Sequence, residues 1–291
     1  MDSYHTSVLA KEAINNLNIK KGVYVDATMG GGGHSLEIFK NMESGILISM
    51  DQDQDAIDHV TNNVWSLNDS KKWILVKGNF SNLKNILNEQ NIHEIDSILY
   101  DIGVSSYQLD NVKRGFSYSK SSPLDMRMNQ DTKLTAEEIL NTYSPESLTK
   151  IFKNYGEEPQ AKRITNKIVE VRKEKRIKNS RELINIIKSC IAMSTGARER
   201  VAKKVFQALR VEVNQELSAL SLSLTQAFEI LKSNGVCCVI TFQPLERRVV
   251  EEFAQKNFSL IKSVNVVMPG AKELVNNIRS KSARMFVLIK L

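Results

Sequence analysis

The stretch Val23–Ser35 reads VYVDATMGGGGHS, and its reading decides the fold. Val23, Tyr24 and Val25 form a short apolar run of the kind that makes a buried strand. Gly30, Gly31, Gly32 and Gly33 follow, and from His34 the spacing of Leu36, Ile38 and Phe39 predicts a helix. A strand, a loop without side chains and a helix start together suit a nucleotide-type cofactor, because a ligand can approach the bare backbone closely.

Working outward, short apolar runs recur with helical stretches between them. GILISM at Gly45–Met50 leads to Asp51, WILV at Trp73–Val76 leads to Gly78, Asn79 and Phe80, and IDSILY at Ile95–Tyr100 leads to Asp101. The segments 34–42, 53–65 and 81–91 have helical length, with Ser81 as the expected N-cap of the last. Strands alternating with helices argue for a parallel, doubly wound sheet. After Asp101 comes a Gly-, Ser- and Pro-rich loop of a length usually tied to function. From about Leu134 to Leu231 the pattern is helical almost throughout, and Val205, Leu209, Val213, Leu217, Leu220 and Leu224 read as one stripe. The alternation resumes with Gly235–Phe242 and a helix over Leu245–Lys256. Two further strands, Val264–Val267 and Met285–Leu291, are expected to be joined by a polar loop without a helix. Seven strands ending in an antiparallel hairpin are the plan of a class I (Rossmann-like) methyltransferase. The expected α/β organisation is a discontinuous sheet domain over 1–108 and 212–291, with an inserted all-helical domain over 109–211.

The 291 residues suffice for a full core, and 42% hydrophobic with 25% charged residues is ordinary for a globular chain. No apolar run reaches membrane-span length, and MDSYHTSVLAKEA is not a secretory leader, so a cytoplasmic protein is expected. Cys190, Cys237 and Cys238 and the four scattered histidines have no metal-ligand spacing. The net charge of +7 is unevenly placed. Lys162, Arg163, Lys167, Arg172, Lys173, Lys175, Arg176, Lys178 and Arg181 crowd a segment with two Glu, which alone carries +7. Such an excess marks either a nucleic-acid footprint or a solvated helix face.

Polar residues at the strand ends discriminate between cofactors, because ligands of open α/β sheets lie there. Asp51 stands 19 residues after Gly32, where a carboxylate can accept from both hydroxyls of a ribose; this suits NAD and S-adenosylmethionine equally. Ser35 occupies the place where the dinucleotide pattern needs a third glycine, and His34 would crowd a pyrophosphate. S-adenosylmethionine carries no phosphate and tolerates the bulkier loop. Phe80 is placed to lie against adenine, and Asp101 supplies an anion for the cationic end. Asp26 reads as structural.

At this point the chain resembles the bacterial 16S rRNA cytosine-N4 methyltransferase family (RsmH, also called MraW) along nearly its whole length. The matching segments are HTSVLAKEA, DATMGGGGHS, DQDQDAI at Asp51, GNFSNL at Gly78, YDIGVSSYQLD around Asp101, RGFSY from Arg114, SPLDMRM at Ser122–Met128, YGEE at Tyr155 and VFQALRVEVNQEL at Val205–Leu217. The resemblance implies cofactor contacts from Gly32, Gly33, His34, Asp51, Phe80, Asp101 and Gln108. It also implies methylation of N4 of cytosine 1402 in the decoding centre, with 16S rRNA, within the 30S subunit, as partner. The inserted helices would then recognise rRNA, and the enzyme would work without a metal as a monomer or homodimer. After the fifth strand the family motif runs approximately SFHSLEDRxVK, whereas this chain has TFQPLERRVVEEF. Gln243, Pro244 and Arg247 therefore replace His, Ser and Asp.

Transfer of a methyl group to an exocyclic amine needs an acceptor for an N–H proton and a base held outside any helix. Asp101 is the first candidate acceptor, then Asp125 and Arg127, with Phe116 and Tyr118 as stacking partners. An internal ion pair fixing the long loop is the structural alternative for Asp125 and Arg127. Other readings are a methyltransferase acting on DNA or protein, an NAD-dependent oxidoreductase, and an RNA-binding assembly factor with a decayed pocket.

Overall fold

The computed structural model describes residues 7–63, 70–117, 121–191 and 195–291. Two compact units result, one formed by Met1–Gly103 with Leu217–Leu291, the other by Val104–Glu216. The second unit is five residues longer at each end than the expected insert over 109–211.

In the first unit α1 (Ala10–Asn16) precedes β1 (Lys21–Asp26), α2 (Gly33–Asn41), β2 (Ser44–Asp51), α3 (Gln54–Asn63), β3 (Lys71–Lys77), α4 (Leu83–Glu89) and β4 (Ile95–Asp101). The second unit carries α5 (Ser106–Asp110), α6 (Ala136–Thr142), α7 (Pro145–Asn154), α8 (Ala161–Glu174), α9 (Ser180–Cys190) and α10 (Thr195–Asn214). The chain completes the first unit with α11 (Glu216–Ile230), β5 (Leu231–Thr241), α12 (Pro244–Lys256), β6 (Ile261–Val267), α13 (Ala271–Asn276) and β7 (Arg284–Lys290).

The seven strands form one sheet in the order β3-β2-β1-β4-β5-β7-β6, with β7 antiparallel to both neighbours. This is the expected α/β class I methyltransferase sheet. Strand side chains alternate between two buried layers, as the period of two requires. Val25, Ile48, Ile98, Tyr100, Cys237 and Val239 face one core, which contains Leu83 and Leu87 of α4 and Leu220 and Leu224 of α11. Tyr24, Leu47, Leu99, Cys238 and Ile240 face the other, which contains Leu9, Ala13 and Ile38. Because β1, β2, β3, β4 and β5 run parallel, their carboxyl ends line up along one edge. Asp51 pairs with Lys77 there, and Asp101 with Ile240.

Four sequence expectations need correction. Asn79, rather than Ser81, caps the turn after β3: its side chain accepts from the Ser81 N–H at 2.8 Å, and α4 begins only at Leu83. The β6–β7 connection is not a plain loop, since it contains α13 and a 3-10 turn over Ile278–Ser282. β5 starts at Leu231, not Gly235. The stripe from Val205 to Leu224 is broken at Gln215, whose φ is 52°, so Val205, Leu209 and Val213 belong to the core of the second unit and Leu220 and Leu224 to the sheet.

The second unit has a core of its own, with Leu140, Leu148, Phe152, Ile164, Ile168, Leu183, Ile187 and Leu209 buried together. Side-chain caps start its helices. Thr135 accepts from Glu138 N–H, Ser144 from Ser147 N–H ahead of Pro145, and Asn179 from Glu182 N–H. Each such cap is worth about 1 kcal/mol.

Candidate active site

The glycine loop leaves the end of β1 and turns into α2. Gly32 has φ +81°, and a Cβ there would stand 2.8 Å from a Val60 methyl, so an L side chain is excluded both by backbone and by space. A Cβ on Gly33 would collide with Ser7 Oγ. The N-cap of α2 is Gly32 with no side-chain cap, which leaves first-turn N–H groups to meet an external acceptor such as a carboxylate.

Ser35, at the place of a third glycine, is fully buried. Its hydroxyl donates to Asp26 Oδ2 at 2.6 Å and lies 2.7 Å from Ser49 Oγ, which accepts from Trp73 Nε1 at 2.8 Å. An indole only donates, so the direction runs Trp73 to Ser49 to Ser35 to Asp26. A serine therefore packs α2 against the sheet where a dinucleotide fold uses glycine. Asp26 also accepts from the Thr28 N–H at 3.1 Å, consistent with a structural role. Burial raises its pKa, opposed by His34, Ser35 and the Thr28 N–H.

Asp51, at the end of β2, accepts the Gly30 N–H at Oδ2 (2.8 Å) and the Asp53 N–H at Oδ1 (2.9 Å). It thus ties the glycine loop to the start of α3. Burial pushes its pKa up to about 6 against those two hydrogen bonds. Phe80 follows β3, is partly buried, and meets Tyr100 edge-on with ring centroids 5.8 Å apart.

Asp101 ends β4, and its N–H donates to Thr28 Oγ1 at 2.6 Å. His34 is 5% exposed and places Nε2 3.5 Å from Asp101 Oδ2, longer than a well-formed hydrogen bond. Neither ring nitrogen of His34 nor Asp101 Oδ1 has a hydrogen-bond partner among the described residues. Buried polar atoms left in this state fit a site completed by a bound molecule. Gly32, Gly33, His34, Asp51, Phe80 and Asp101 all lie along the carboxyl edge of the sheet or the loops leaving it. An adenosyl group with a hydroxyl-bearing ribose, a carboxylate and a cationic end matches these donors and acceptors.

Gln243, in the departing motif, opens α12 just beyond β5, the neighbour of β4. Glu246 accepts from the Phe242 and Gln243 N–H groups at 2.7 and 3.0 Å. Arg247 donates to Ser282 O at 2.6 Å, fastening the turn before β7.

The remaining sequence candidates lie in the second unit. Gln108 is buried and its Oε1 accepts from Ser105 N–H at 3.1 Å, closing the capping box of α5. Arg127 donates Nε and Nη2 to the two oxygens of Asp125 at 2.9 and 2.7 Å, and Nη1 to the carbonyls of Gln130 and Thr132. The two side chains thus pair with each other and with the backbone of their own loop. Phe116 is buried in the core of this unit, which corrects the expectation of a base-stacking ring; Tyr118 lies outside the described residues.

Two further motifs converge on that loop. Arg114 of RGFSY donates to the carbonyls of Arg127 and Met128, both at 2.9 Å. Asn214 of FQALRVEVN donates to Met126 O at 2.8 Å and accepts from Met128 N–H at 2.7 Å. Met126 itself has φ 61°, a strained value for its type, held by these partners.

Of the basic segment, Arg172 donates to the carbonyls of Leu140 and Tyr143, closing the end of α6. Arg176 pairs with Glu137 and Glu138, Lys175 with Glu182 and Lys167 with Glu170. Lys162, Arg163, Lys173, Lys178 and Arg181 are exposed, and their side chains make no ion pair among the described residues. Sequence reasoning missed Thr28, Leu9 and Glu273. Glu273 of α13 accepts the Leu9 N–H at 2.8 Å and adds negative charge toward His34. No local pattern links a residue of α13 to a loop some 240 positions earlier.

Comparison with known proteins agrees with the geometry. The profile of the MraW methylase family matches residues 2–291. A protein of Streptococcus mutans named ribosomal RNA small subunit methyltransferase H is 43% identical, covering 100% of this chain and 98% of that protein. Its namesakes from Spiroplasma kunkelii and Limosilactobacillus fermentum are 42% and 44% identical, each covering 99% of this chain. With a family profile spanning nearly every residue and relatives matched end to end, the chain belongs to the MraW methylase family.

Proposed function

We propose that the protein transfers the methyl group of S-adenosylmethionine to the exocyclic N4 of cytosine 1402 in 16S rRNA, at the decoding centre of the small ribosomal subunit. The observation that carries this reading is the row at the carboxyl edge of the sheet: a side-chain-free loop tied to Asp51, and a partly exposed Asp101 beside the buried His34. Relatives named for the small-subunit rRNA and the exposed basic side chains of α8 and α9 support the choice of substrate.

The cofactor supplies an electrophilic methyl group on a sulfonium when bound. Asp51 takes the ribose hydroxyls, the first-turn N–H groups of α2 take the carboxylate, and Phe80 bounds the adenine. Asp101 provides negative charge where the cation sits and accepts the amine proton. Positioning then does most of the catalytic work, since the leaving group is already activated. Asp125 and Arg127 serve as the clamp of the long loop, with Gln108 as the cap of α5 beside it.

The test is incubation with methyl-labelled S-adenosylmethionine and separate pools of 30S subunits, free 16S rRNA and DNA. Label in either RNA pool and none in DNA is expected; label in DNA alone overturns the substrate assignment.

A further inference from the structure

The motif that departs from the family after β5 has no part in methyl transfer as described so far. It reads TFQPLERRVVEEF, with Arg247 where the family carries Asp. A cation thus replaces an anion near the start of α12, just beyond the carboxyl end of β5. Arg247 Nη2 donates to Ser282 O at 2.6 Å, and Nη1 is neither buried nor hydrogen-bonded among the described residues. The carbonyl it holds ends the 3-10 turn Ile278–Ser282, whose Lys281 is exposed. Two residues later Arg284, also exposed, opens β7 and pairs with Thr241 at the end of β5. Strand alternation turns Arg284 to the face of Phe286, the face on which α12 packs with Val250 and Phe253.

Arg247 and Arg284 are close enough for the charge of one to act on the other. Two acids also reach Arg247. Glu246 is buried and accepts from the Phe242 and Gln243 N–H groups, and Glu251 lies a turn further along α12. Arg284 and Lys281 make no side-chain hydrogen bond or ion pair among the described residues. The cluster stands near the reacting edge of the sheet. Asp101 pairs with Ile240 and Ile240 with Met285, so Arg284 is one residue beyond the row of Asp101 and two strand spacings away, about 10 Å.

We propose that Arg247, Arg284 and Lys281 form a phosphate site in the sheet unit that grips the RNA backbone beside the cytosine presented to Asp101. This deepens the methyl-transfer reading and rests on it. A base drawn out of its stack enters the pocket, while its flanking phosphates stay at the rim and have to be held there. Phosphate contacts fix register without reading sequence, and guanidinium groups suit them because they donate two parallel hydrogen bonds to phosphate oxygens. Two neighbouring guanidinium groups repel, and one phosphate between them removes that repulsion. Burial and the facing Arg284 draw the Arg247 pKa down against Glu246 and Glu251, as expected where cations meet without a counter-ion. The family's Asp in that place would repel the same phosphate. These cations are distinct from the exposed ones of α8 and α9, so the sheet unit has an RNA attachment of its own.

Fluorescence anisotropy of the full-length protein with a short single-stranded RNA containing one cytosine, between about 50 and 200 mM salt, tests the site. Arg284→Ala is the informative variant, because its side chain has no partner to lose within the described residues. It is expected to weaken binding about three- to tenfold at the lower salt, and to make the slope of log affinity against log salt shallower by about 0.7, the value for one phosphate of a single strand. Lys281→Ala is expected to act in the same direction. The melting temperature and S-adenosylhomocysteine affinity of Arg284→Ala should match wild type. In a second arm, each phosphate flanking the cytosine is replaced in turn by a neutral methylphosphonate. At one position the replacement should weaken wild type and leave Arg284→Ala unaffected. A wild-type salt slope in Arg284→Ala, or equal losses in both proteins at every replaced phosphate, overturns the site. So does a binding defect confined to Arg247→Ala and accompanied by a lower melting temperature, which would leave Arg247 as a fastener of the turn alone. Binding is read without catalysis, so 30S subunits that bind but accept no methyl group would sink the methyl-transfer reading and leave the phosphate site standing.

Discussion

Arg210 and Glu216 form a two-pronged ion pair across the break between α10 and α11, Nε to Oε1 at 2.8 Å and Nη2 to Oε2 at 2.9 Å. Both side chains are largely buried, and Gln215 between them turns at φ 52°. The pair spans the turn at which α10 ends and α11 begins. Removing one member of such a pair leaves a buried charge uncompensated, at a cost of about 3–5 kcal/mol. Urea unfolding of Glu216→Gln is expected to show a loss of that order, and a double Arg210→Met, Glu216→Leu variant a smaller one. Equal losses in both would show that the geometry of the turn, not the charge, is what matters.

Asp51 is expected to make cofactor binding pH-dependent. Its pKa of about 6 belongs to the folded protein, above the usual 3.8, because burial disfavours the carboxylate. A raised pKa means that the protonated form dominates below about pH 6, and that form has lost an acceptor for the ribose. Calorimetric titration with S-adenosylhomocysteine is expected to give constant affinity above pH 7 and a decline approaching tenfold per pH unit below 6. A flat profile down to pH 5 would remove Asp51 from the ribose site. Asp51→Ala is expected to abolish measurable binding, since it also releases the Gly30 N–H.

The basic segment divides into residues that hold the fold and residues available to a polyanion. Combined substitution of Lys162, Lys173, Lys178 and Arg181 by Ala is expected to weaken RNA binding and to make its salt dependence shallower, with little change in melting temperature. The slope of log affinity against log salt should fall by up to about 0.7–0.9 for each phosphate that is no longer neutralised. Arg172→Ala is expected to do the reverse: its two hydrogen bonds to carbonyls at the end of α6 contribute on the order of 1.5–3 kcal/mol each as charged hydrogen bonds. Filter binding at three salt concentrations and thermal melting of the two variants check both statements.

The three thiols are inert in the folded protein. Cys190, Cys237 and Cys238 are all buried, and burial pushes Cys238 up to about 12. The reactive thiolate is therefore scarce at pH 8. Ellman's reagent is expected to titrate none of them within minutes in buffer and all of them in guanidinium. A fast thiol in the native protein contradicts the burial of Cys190 in α9 or of Cys237 and Cys238 in β5.

Much of the sheet was legible because strands buried on both faces read as unbroken apolar runs, so Ile46–Met50, Ile98–Tyr100 and Cys237–Ile240 announce themselves. The strand-end residues Asp51, Phe80 and Asp101 were legible for the same reason, since each closely follows such a run. Shorter features escaped. α13 has six residues, too few for a helical period, and its Glu273 reaches Leu9 only through tertiary folding. The break at Gln215 carries no Gly or Pro, so nothing local interrupts the stripe. Phe116 sits among Gly, Ser and Lys, which suggests exposure, yet the loop folds back over its own unit and buries it. The proximity of His34 to Asp101 spans 67 positions and rests on β1 and β4 being neighbours in the sheet, which no spacing rule supplies.

The most direct test is the identity of the methylated nucleoside. 30S subunits lacking the modification are treated with the protein and deuterium-labelled S-adenosylmethionine, the rRNA is digested, and nucleosides and oligonucleotides are separated by mass spectrometry. The account requires one labelled species, N4-methylcytidine, in the fragment containing cytosine 1402. Label on carbon 5 of the base, on a ribose oxygen, or in another fragment would contradict it.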